Sequence, residues 1–294
     1  MKLSIIIVTY NSAADIEACL KSVRPVVPHE VIIIDNASSD RTRQLLEQAV
    51  TSGAHPQLRI IYNPANYGYA RANNQGMALA RGEYILLLNP DTVLFPDAID
   101  RMVEYLDRHP EAAGVAPRLL NPDGTTQLSI RSFPTFSSVL WELTGLPRIF
   151  PNCARINRWR RRDFDYEKFQ YVEQPMASCL LLRRSILGAL GGFDERFPIY
   201  YNDVDLCYRI YQQGSRLAYL PEAKVTHRLG ASTSPLKTKM IYENHHSLFR
   251  FLSKYDRKPS FILKAVILLP LLELSALLRV LLFRLKKLSA DKTD

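Results

Sequence analysis

Cysteine is scarce in this sequence, and the cysteines that are present lie far apart. There are four, and none belongs to a C-x-x-C pair: Cys19, Cys153, Cys179 and Cys207. This spacing predicts neither a zinc knuckle nor a disulfide framework. We therefore expect a protein of the reducing cytosol.

Other common signals are also missing. Only Lys2 precedes the first apolar stretch and no small-residue cleavage site closes it, so we interpret the stretch as a strand rather than a signal peptide. No internal repeat or low-complexity tract is apparent, which disfavours solenoid and disordered proteins. The G-x-G-x-x-G motif of dinucleotide-binding proteins is absent.

Size and charge set broad limits on the function. The chain has 294 residues, of which 47% are hydrophobic, enough for one large domain or, as we favour, one domain with an appendage. Its formal net charge of +9 indicates an anionic partner. That partner can be a nucleic acid, a sugar nucleotide, a lipid diphosphate or an anionic membrane, and charge alone does not choose among them.

Apolar strands alternate with amphipathic helices over the first part of the chain. The predicted strands are short, mainly apolar runs at residues 3–8, 31–34, 58–62 and 84–88. The predicted helices begin at or near Ser12, Asp40, Tyr69 and Pro96. This alternation predicts an α/β fold, with a Rossmann-like, doubly wound, mainly parallel sheet and helices on both faces.

The pattern changes after residue 113. A strong turn signal at Asn121-Pro122-Asp123-Gly124 precedes a stretch over 131–172 that is rich in aromatic residues and arginine and has poor periodicity. Regular structure is then predicted again, as strands at 178–182, 216–220 and 223–226 and a helix at 203–213. From residue 241 the pattern is helical. We predict a first domain at 1–240, with 131–172 as an excursion from the sheet, and a helical, basic, membrane-associating region at 241–294.

Polar residues follow two of the predicted strands. Asp35 ends the second strand, where a carboxylate can accept hydrogen bonds from a pyrimidine or a ribose; the alternative is a local turn or a helix cap. Asn89 and Asp91 follow the most apolar strand and present two oxygen ligands two residues apart. That spacing suits Mg²⁺ or Mn²⁺ already held by phosphates, and the alternative is a proline turn before a helix.

Two further positions can carry chemistry. Asn202 can cap a helix that begins at Asp203, and the helix dipole favours the ionised, proton-accepting form of a carboxylate in the first turn. This suits a general base, whereas the alternative is an aspartate that only stabilises the helix start. His227, at the end of a short strand, can bind a metal ion through a ring nitrogen or have a purely structural role.

In this order, these segments resemble glycosyltransferase family 2, the GT-A group of inverting enzymes, and within it the bacterial rhamnosyltransferase-like branch. The resemblance covers roughly residues 1–232. The matching motifs are TYNS at 9–12, VIIIDNASSD at 31–40, NPANYGYARANNQG at 63–76, RGEYILLLNPDTVL at 81–94, GGFDERFPIYYNDVDLCYR at 191–209 and HRLGAS at 227–232. The resemblance implies a GT-A fold, with the 131–172 excursion on the acceptor side.

The resemblance implies which residues bind the nucleotide sugar. They are Thr9, Asn11 and Asp35 at the nucleotide, Asn66, Arg71 and Asn74 near the ribose and diphosphate, and Asp91 at the last position of a D-x-D metal motif. The first position of that motif is Asn89 here, which leaves fewer charges for the ion. His227 matches a histidine that helps bind the metal or the diphosphate, and the implied cofactor is Mg²⁺ or Mn²⁺.

The resemblance also implies the reaction. Asp203 matches the catalytic base, which takes the proton from an acceptor hydroxyl as this hydroxyl attacks the anomeric carbon, so that the configuration inverts. The metal neutralises the leaving diphosphate, and Arg71 can add to this effect. Two departures from the family pattern, Asn202 and Ala177, concern acceptor binding more than the fold.

The second half of the chain indicates a membrane. The densest basic cluster can bind a lipid-linked diphosphate or anionic headgroups, or form a solvated helix face; it comprises Arg155, Arg158, Arg160, Arg161 and Arg162 with Trp159. No RNA-binding signature or zinc-finger spacing accompanies it, so nucleic acid is not expected as a partner.

The apolar segment 261–283 contains three charged residues and a proline: Lys264, Glu273, Arg279 and Pro270. Burying a charge at the centre of a bilayer costs roughly 2.5–3.5 kcal/mol, so an interfacial helix or hairpin is favoured over a span. The alternative is a helix packed on the catalytic domain or in a dimer, which leaves a homo-oligomer open.

The combined expectation is a metal-dependent, inverting hexosyltransferase of bacterial cell-surface polysaccharide assembly. By resemblance, the donor is dTDP-L-rhamnose and the acceptor is a saccharide, expected to be lipid-linked. The expected location is the cytoplasmic face of the bacterial inner membrane, as a peripheral or monotopic protein. A UDP-hexose transferase with the same machinery and a non-catalytic membrane-bound scaffold are the alternatives.

Overall fold

The structure is a computed structural model that describes residues 1–53, 57–228, 237–256 and 258–290, without the side chains of 237 and 286–290. It divides into two compact units. The first comprises Met1–Arg131 and Asp163–Ser232, and the second comprises Ser132–Arg162 and Thr233–Asp294. The domain boundaries predicted from the sequence stay a prediction.

A mixed sheet lies at the centre of the first unit. Within the described residues it has nine strands, and a small separate sheet has two. In chain order the strands are β1 Leu3–Thr9, β2 His29–Asp35, β3 Leu58–Tyr62, β4 Tyr84–Leu88, β5 Thr92–Leu94, β6 Ala112–Leu120, β7 Ile130–Arg131, β8 Gln170–Val172, β9 Gln174–Pro175, β10 Cys179–Arg183 and β11 Arg216–His227. The order in the large sheet is β3-β2-β1-β4-β10-β6-β11-β5, with β8 beside β11, and β7 pairs with β9.

The first four strands form the parallel half of the sheet. β1 pairs in parallel with β2 and β4, and β2 pairs in parallel with β3. Every residue of β1 and β4 is buried, as in a sheet covered on both faces. The predicted α/β fold is confirmed, and the carboxyl ends of β1, β2 and β4 lie at one edge, where such sheets bind ligands.

The second half of the sheet contains antiparallel pairs that the sequence did not reveal. β10 runs antiparallel to both β4 and β6, whereas β11 is parallel to β6. β11 is one long strand rather than the two that were predicted, and its register against β6 shifts between Leu220 and Lys224. Pro221 lies in this interval and has no N–H for the ladder, so the strand continues through an irregularity instead of ending there.

Six helices of the first unit pack against the sheet or flank its edge: α1 Ile16–Ser22, α2 Thr42–Thr51, α3 Tyr69–Leu79, α4 Ala98–Arg108, α8 Arg184–Leu190 and α9 Asn202–Gln212. α1 begins at Ile16, with Asp15 as its N-cap, a few residues after the predicted start near Ser12. α3 lies close to β1 at a glycine. A Cβ added to Gly76 would approach Ile6 Cγ2 to 2.6 Å, so this contact requires glycine.

The second unit is helical among its described residues. Its helices are α5 Phe136–Thr144, α6 Leu146–Ile149, α7 Ala154–Asn157, α10 Lys237–Tyr255 and α11 Ser260–Ala290, with a 3₁₀ turn at Arg158–Arg160. The aperiodic stretch 131–172 therefore contains three short helices. α10 begins at Lys237, four residues before the predicted start at 241.

α11 is the one helix of the described residues that is long and apolar enough to cross a membrane, by length and composition, over Ser260–Leu285. Residues four apart on one of its faces are buried: Leu268, Leu272, Ala276 and Val280. Two charges that sequence analysis placed in this segment are paired within the unit. Lys264 Nζ lies 2.6 Å from Asp256, and Glu273 lies 2.8 Å from His246 Nε2.

Candidate active site

The ends of β1 and β2 bring Thr9 and Asp35 together. Both residues are fully buried, and Thr9 Oγ1 donates a hydrogen bond to Asp35 Oδ1 at 3.1 Å. The Asp35 carboxylate also accepts from the backbone N–H of Ser38 at 3.2 Å. The parallel register, which sets Thr9 beside Asp35, produces this arrangement.

Arg43 completes the Asp35 site and was missed by sequence analysis. Its Nε donates to Asp35 Oδ2 at 2.9 Å, and its guanidinium lies over the Tyr62 ring, 5.2 Å from the centroid. The Arg43 side chain is 42% exposed, whereas that of Asp35 is 0% exposed. The only feature of the sequence that could have indicated this pair is the position of the arginine, eight residues after the strand-end aspartate and at the start of a helix.

Asn11 joins the loops that follow β1 and β2. Its backbone has a φ of 51°, in the left-handed region that asparagine tolerates better than most residues. Its N–H donates to Ser38 Oγ at 2.9 Å, and its side-chain oxygen accepts from the backbone N–H of Ser39 at 2.8 Å. Asn11 therefore holds the two loops against each other beside Asp35.

The end of β4 and the end of β11 bring Asp91 and His227 together. His227 Nε2 lies 3.4 Å from Asp91 Oδ1, and the two side chains are 4% and 8% exposed. The backbone supports the approach, because Arg228 N–H donates to the Asp91 carbonyl at 2.9 Å and β11 pairs with β5 up to His227. Residues 229–232 of the HRLGAS motif lie outside the described residues.

These residues fit a divalent cation. Asp91 Oδ1 and Asn89 Oδ1 are buried and have no hydrogen-bond partner among the described residues. Buried oxygen atoms without partners are costly unless a ligand satisfies them. No cluster of three or more His, Cys, Asp or Glu side chains suited to a metal occurs in the described part of the chain. Mg²⁺ is typically held by one or two carboxylates together with substrate phosphates, and Asp91 can supply such a carboxylate.

Asp203 lies in the first turn of α9, as predicted, but the cap differs. The N-cap is Tyr201, with a φ of 64°, and Asn202 instead donates from its amide to the Ile199 carbonyl at 2.8 Å. Asp203 Oδ1 accepts from the backbone N–H of Val204 at 2.8 Å. Although Asp203 keeps some exposure, burial raises the pKa of its carboxyl group, and backbone N–H groups and the charge of Arg131 oppose that rise.

Ala177 and Tyr69 form a hydrogen-bonded pair beside Asp203, the candidate base. The Ala177 N–H bonds to the Asp203 carboxyl group, and the Ala177 carbonyl accepts from the Tyr69 hydroxyl at 3.3 Å. Burial, then the carboxylates of Asp203 and Asp91, raise the pKa of Tyr69, so this hydroxyl lies within the field of both. The next residue, Ser178, accepts from Asn89 N–H at 2.8 Å. Sequence analysis did not assign a site role to Tyr69.

The three residues assigned to the ribose and diphosphate have local partners. Asn66 Oδ1 accepts from Gly68 N–H at 2.9 Å, and the Arg71 guanidinium lies 4.4 Å from the centroid of the Tyr67 ring. Both side chains are in exposed residues. Asn74 differs, because its amide is bonded to both backbone groups of Phe193, at 2.8 and 2.9 Å. Its role at the nucleotide stays a prediction.

Comparisons with known proteins show the family of the chain. The family model described as glycosyl transferase family 2 matches residues 4–191. A curated relative is the N-acetylglucosaminyl-diphospho-decaprenol L-rhamnosyltransferase of Mycobacterium tuberculosis, which is 31% identical over 268 residues, covering 85% of this chain and 84% of the relative.

Solved structures show the same fold. The chain is similar to GalNAc-T7 solved with UDP, GalNAc and Mn²⁺, with a TM-score of 0.62 and 15% identity over 87% of this chain and 48% of that one. It is also similar to the mannosyltransferase PcManGT of Pyrobaculum calidifontis solved with GDP-Man and Mn²⁺, with a TM-score of 0.59 and 20% identity over 94% of this chain and 69% of that one. Identity at this level supports the GT-A fold alone.

Proposed function

The chain belongs to glycosyltransferase family 2, and we propose that it transfers L-rhamnose from dTDP-L-rhamnose to a lipid-linked saccharide acceptor with inversion of configuration. One observation carries the reaction type: Asp91, whose buried Oδ1 has no hydrogen-bond partner among the described residues, lies beside His227. Asn89, two residues before Asp91, donates its N–H to Ser178, and the preceding residue, Ala177, is bonded to Asp203. The similarity to a rhamnosyltransferase acting on a diphospho-decaprenol acceptor supports the donor and acceptor class.

Asp35 and Asp203 have different roles in the proposed reaction. Asp35, held by Thr9 and Arg43, orients the nucleotide at the ends of β1 and β2. Asp203 accepts the proton of the acceptor hydroxyl while the hydroxyl oxygen bonds to the anomeric carbon and the bond from that carbon to the diphosphate breaks. Attack from the side opposite the leaving group inverts the anomeric configuration.

Asp91 and His227 would hold Mg²⁺ or Mn²⁺, with Asn89 beside them. When bound, such an ion supplies positive charge that stabilises the departing nucleoside diphosphate. The raised pKa of Asp203 makes the carboxylate a stronger base than an ordinary aspartate, provided that the pH keeps it ionised.

The second unit is proposed to bind an anionic membrane surface at the cytoplasmic face. α11 leaves large apolar side chains exposed, among them Leu263, Val266, Leu274, Leu277 and Leu281. The same unit contains exposed arginines at 155, 158 and 162. An apolar helix face with basic residues is typical of interfacial binding rather than of a free solvated surface.

Vesicle sedimentation tests the membrane proposal. Replacing Arg155, Arg158 and Arg162 by serine removes about 1 kcal/mol of attraction per charge. Binding to anionic vesicles should therefore weaken by roughly two orders of magnitude at low salt. Leu277→Glu should weaken binding to all vesicles, whereas Val26→Glu, at an exposed valine of the first unit, should not. Equal partitioning of all these variants would contradict the proposal.

A ligand and turnover panel tests the transfer. The protein is incubated with dTDP-L-rhamnose or UDP-hexoses, with Mn²⁺ or EDTA, and stabilisation and transfer to a sugar-diphospho-polyprenol analogue are measured. Metal-dependent stabilisation and product with dTDP-L-rhamnose support the proposal. If product forms with a UDP-sugar alone, the donor is that UDP-sugar and not dTDP-L-rhamnose. The absence of both binding and product with every nucleotide sugar overturns the catalytic function.

A further inference from the structure

A chain of hydrogen bonds joins the turn after β6 to His227. The Asp123 carboxylate accepts from the Thr125 hydroxyl at 2.6 Å, and Thr125 Oγ1 accepts from Asn121 Nδ2 at 2.9 Å. Asn121 Oδ1 accepts from Gln127 Nε2 at 3.0 Å. Gln127 Oε1 lies 2.8 Å from His227 Nδ1. The Asn121–Gly124 turn signal of the sequence is thus connected to the proposed metal site.

The direction of every bond in this chain follows from its first member. An ionised carboxylate can only accept hydrogen bonds, and bonding to Thr125 lowers the pKa of Asp123. The Thr125 hydroxyl therefore donates to Asp123 and accepts from Asn121, whose carbonyl oxygen is left to face Gln127. The Gln127 amide must then present Nε2 to Asn121 and Oε1 to His227.

A second contact supports this orientation of Gln127. Its Nε2 also donates to the backbone carbonyl of His227 at 3.3 Å, a bond that the oxygen of the amide could not make. Gln127 is buried, so water does not replace the protein partners of its amide group. Because Oε1 only accepts, His227 Nδ1 must carry the hydrogen of this bond.

When the imidazole is neutral, the opposite ring nitrogen is left with a lone pair. In the neutral imidazole with a hydrogen on Nδ1, Nε2 is an acceptor or a metal ligand. Nε2 lies 3.4 Å from Asp91 Oδ1, the oxygen that has no hydrogen-bond partner among the described residues. Two electron-rich atoms thus face each other in a buried site, an arrangement that a cation stabilises.

We propose that Gln127 is a positioning residue, which fixes the tautomer and ring orientation of His227 so that Nε2 is available to a divalent cation. The inference rests on the proposed function, in which Asp91 and His227 bind that cation. Outer partners that hold a ligating histidine typically contribute 10–100-fold to metal affinity. Asn121, Thr125 and Asp123 in turn fix the orientation of Gln127.

Side-chain nitrogen NMR tests the tautomer without any change at Gln127. The protein is labelled with ¹⁵N-histidine, and the His227 signals are identified by their loss in His227→Gln. At a pH where the imidazole is neutral, we expect a protonated Nδ1 and an unprotonated Nε2. A protonated Nε2 with an unprotonated Nδ1 would overturn the proposal.

Mn²⁺ affinity tests the consequence. Free Mn²⁺ is measured by electron paramagnetic resonance with dTDP, and separately with UDP, for the unmodified protein, Gln127→Met, Gln127→Glu and His227→Ala. We expect Gln127→Met to bind Mn²⁺ 10–100-fold more weakly, because methionine fills the space without accepting from Nδ1. Gln127→Glu keeps an acceptor for Nδ1 but loses the bonds that Nε2 donates, so we expect a smaller loss of affinity than in Gln127→Met.

The variants separate failure of this inference from failure of the proposed function. Unchanged affinity in Gln127→Met, together with a loss in His227→Ala, overturns the role of Gln127 and leaves the metal site intact. No Mn²⁺ binding by the unmodified protein, or equal binding by His227→Ala, overturns the metal role itself. Circular dichroism verifies the fold, and the NMR experiment decides the matter if Gln127→Met does not fold.

Discussion

The Asp35–Arg43 pair allows a sharp test, because the chain contains a matched pair elsewhere. Arg59 Nη2 lies 2.6 Å from Glu30 Oε2, with side chains 39% and 3% exposed, against 42% and 0% for Arg43 and Asp35. Glu30 and Asp35 stand five residues apart on β2, or about 16 Å. The two pairs thus share chemistry and burial, but only Asp35 lies at the proposed nucleotide edge.

Replacing either arginine by methionine should destabilise the protein by a similar amount. Removing one partner of a fully buried pair costs about 3–5 kcal/mol, and solvent screening of the half-exposed arginine reduces this to about 1–3 kcal/mol. The melting temperature should fall by roughly 2–12 °C, since each kcal/mol corresponds to about 2–4 °C in a domain of this size.

Nucleotide affinity should separate the two variants. In Arg43→Met, the described residues that still bond to the Asp35 carboxylate are Thr9 and Ser38, so we expect weaker binding of the donor nucleotide. Arg59→Met should bind the nucleotide as the unmodified protein does. Calorimetric titration with dTDP measures both, and equal affinities in the two variants would refute the placement of the nucleotide at Asp35.

Three further changes test the rest of the site. Asn74→Ala removes two hydrogen bonds to the Phe193 backbone and should cost about 1–3 kcal/mol in chemical denaturation; a raised donor KM with unchanged stability would instead favour direct nucleotide contact. Arg131→Gln removes a charge that lowers the pKa of Asp203, so the acid limb of kcat/KM should move to higher pH, and an unmoved limb would contradict this. Because burial raises the pKa of Asp203, the folded state binds the proton more tightly than the unfolded chain. The free energy of unfolding therefore falls as the pH rises from the ordinary aspartate pKa through the raised pKa of the folded state. Asp203→Asn should therefore be at least as stable as the unmodified protein at neutral pH, and a lower melting temperature would refute this.

Local patterns were sufficient to predict the first half of the fold. β3 and β4 begin and end at the predicted residues, because each is a short, mainly apolar run. The same logic located Asp91 and Asp203, since strand ends and helix starts are local features. It failed at β11, where pairing with β6 carries the strand through Pro221.

Contacts between distant segments could not be predicted. Gln127 and His227 are 100 residues apart, and only the topology of β6 and β11 brings them together. No periodicity marks a lone glutamine as the partner of a histidine. The partners of Asn74, at 193 and 195, were hidden for the same reason; the nucleotide contact that the resemblance implies for Asn74 stays a prediction.

The most direct test of the central claim compares the unmodified protein with Asp203→Asn in transfer from dTDP-L-rhamnose to a sugar-diphospho-polyprenol acceptor. Asparagine keeps the size and the oxygen that accepts from Val204 but cannot take up the proton. We expect a 10²–10⁴-fold loss of kcat, roughly the contribution of a general base, with nucleotide affinity unchanged. Transfer at an undiminished rate by Asp203→Asn would contradict it.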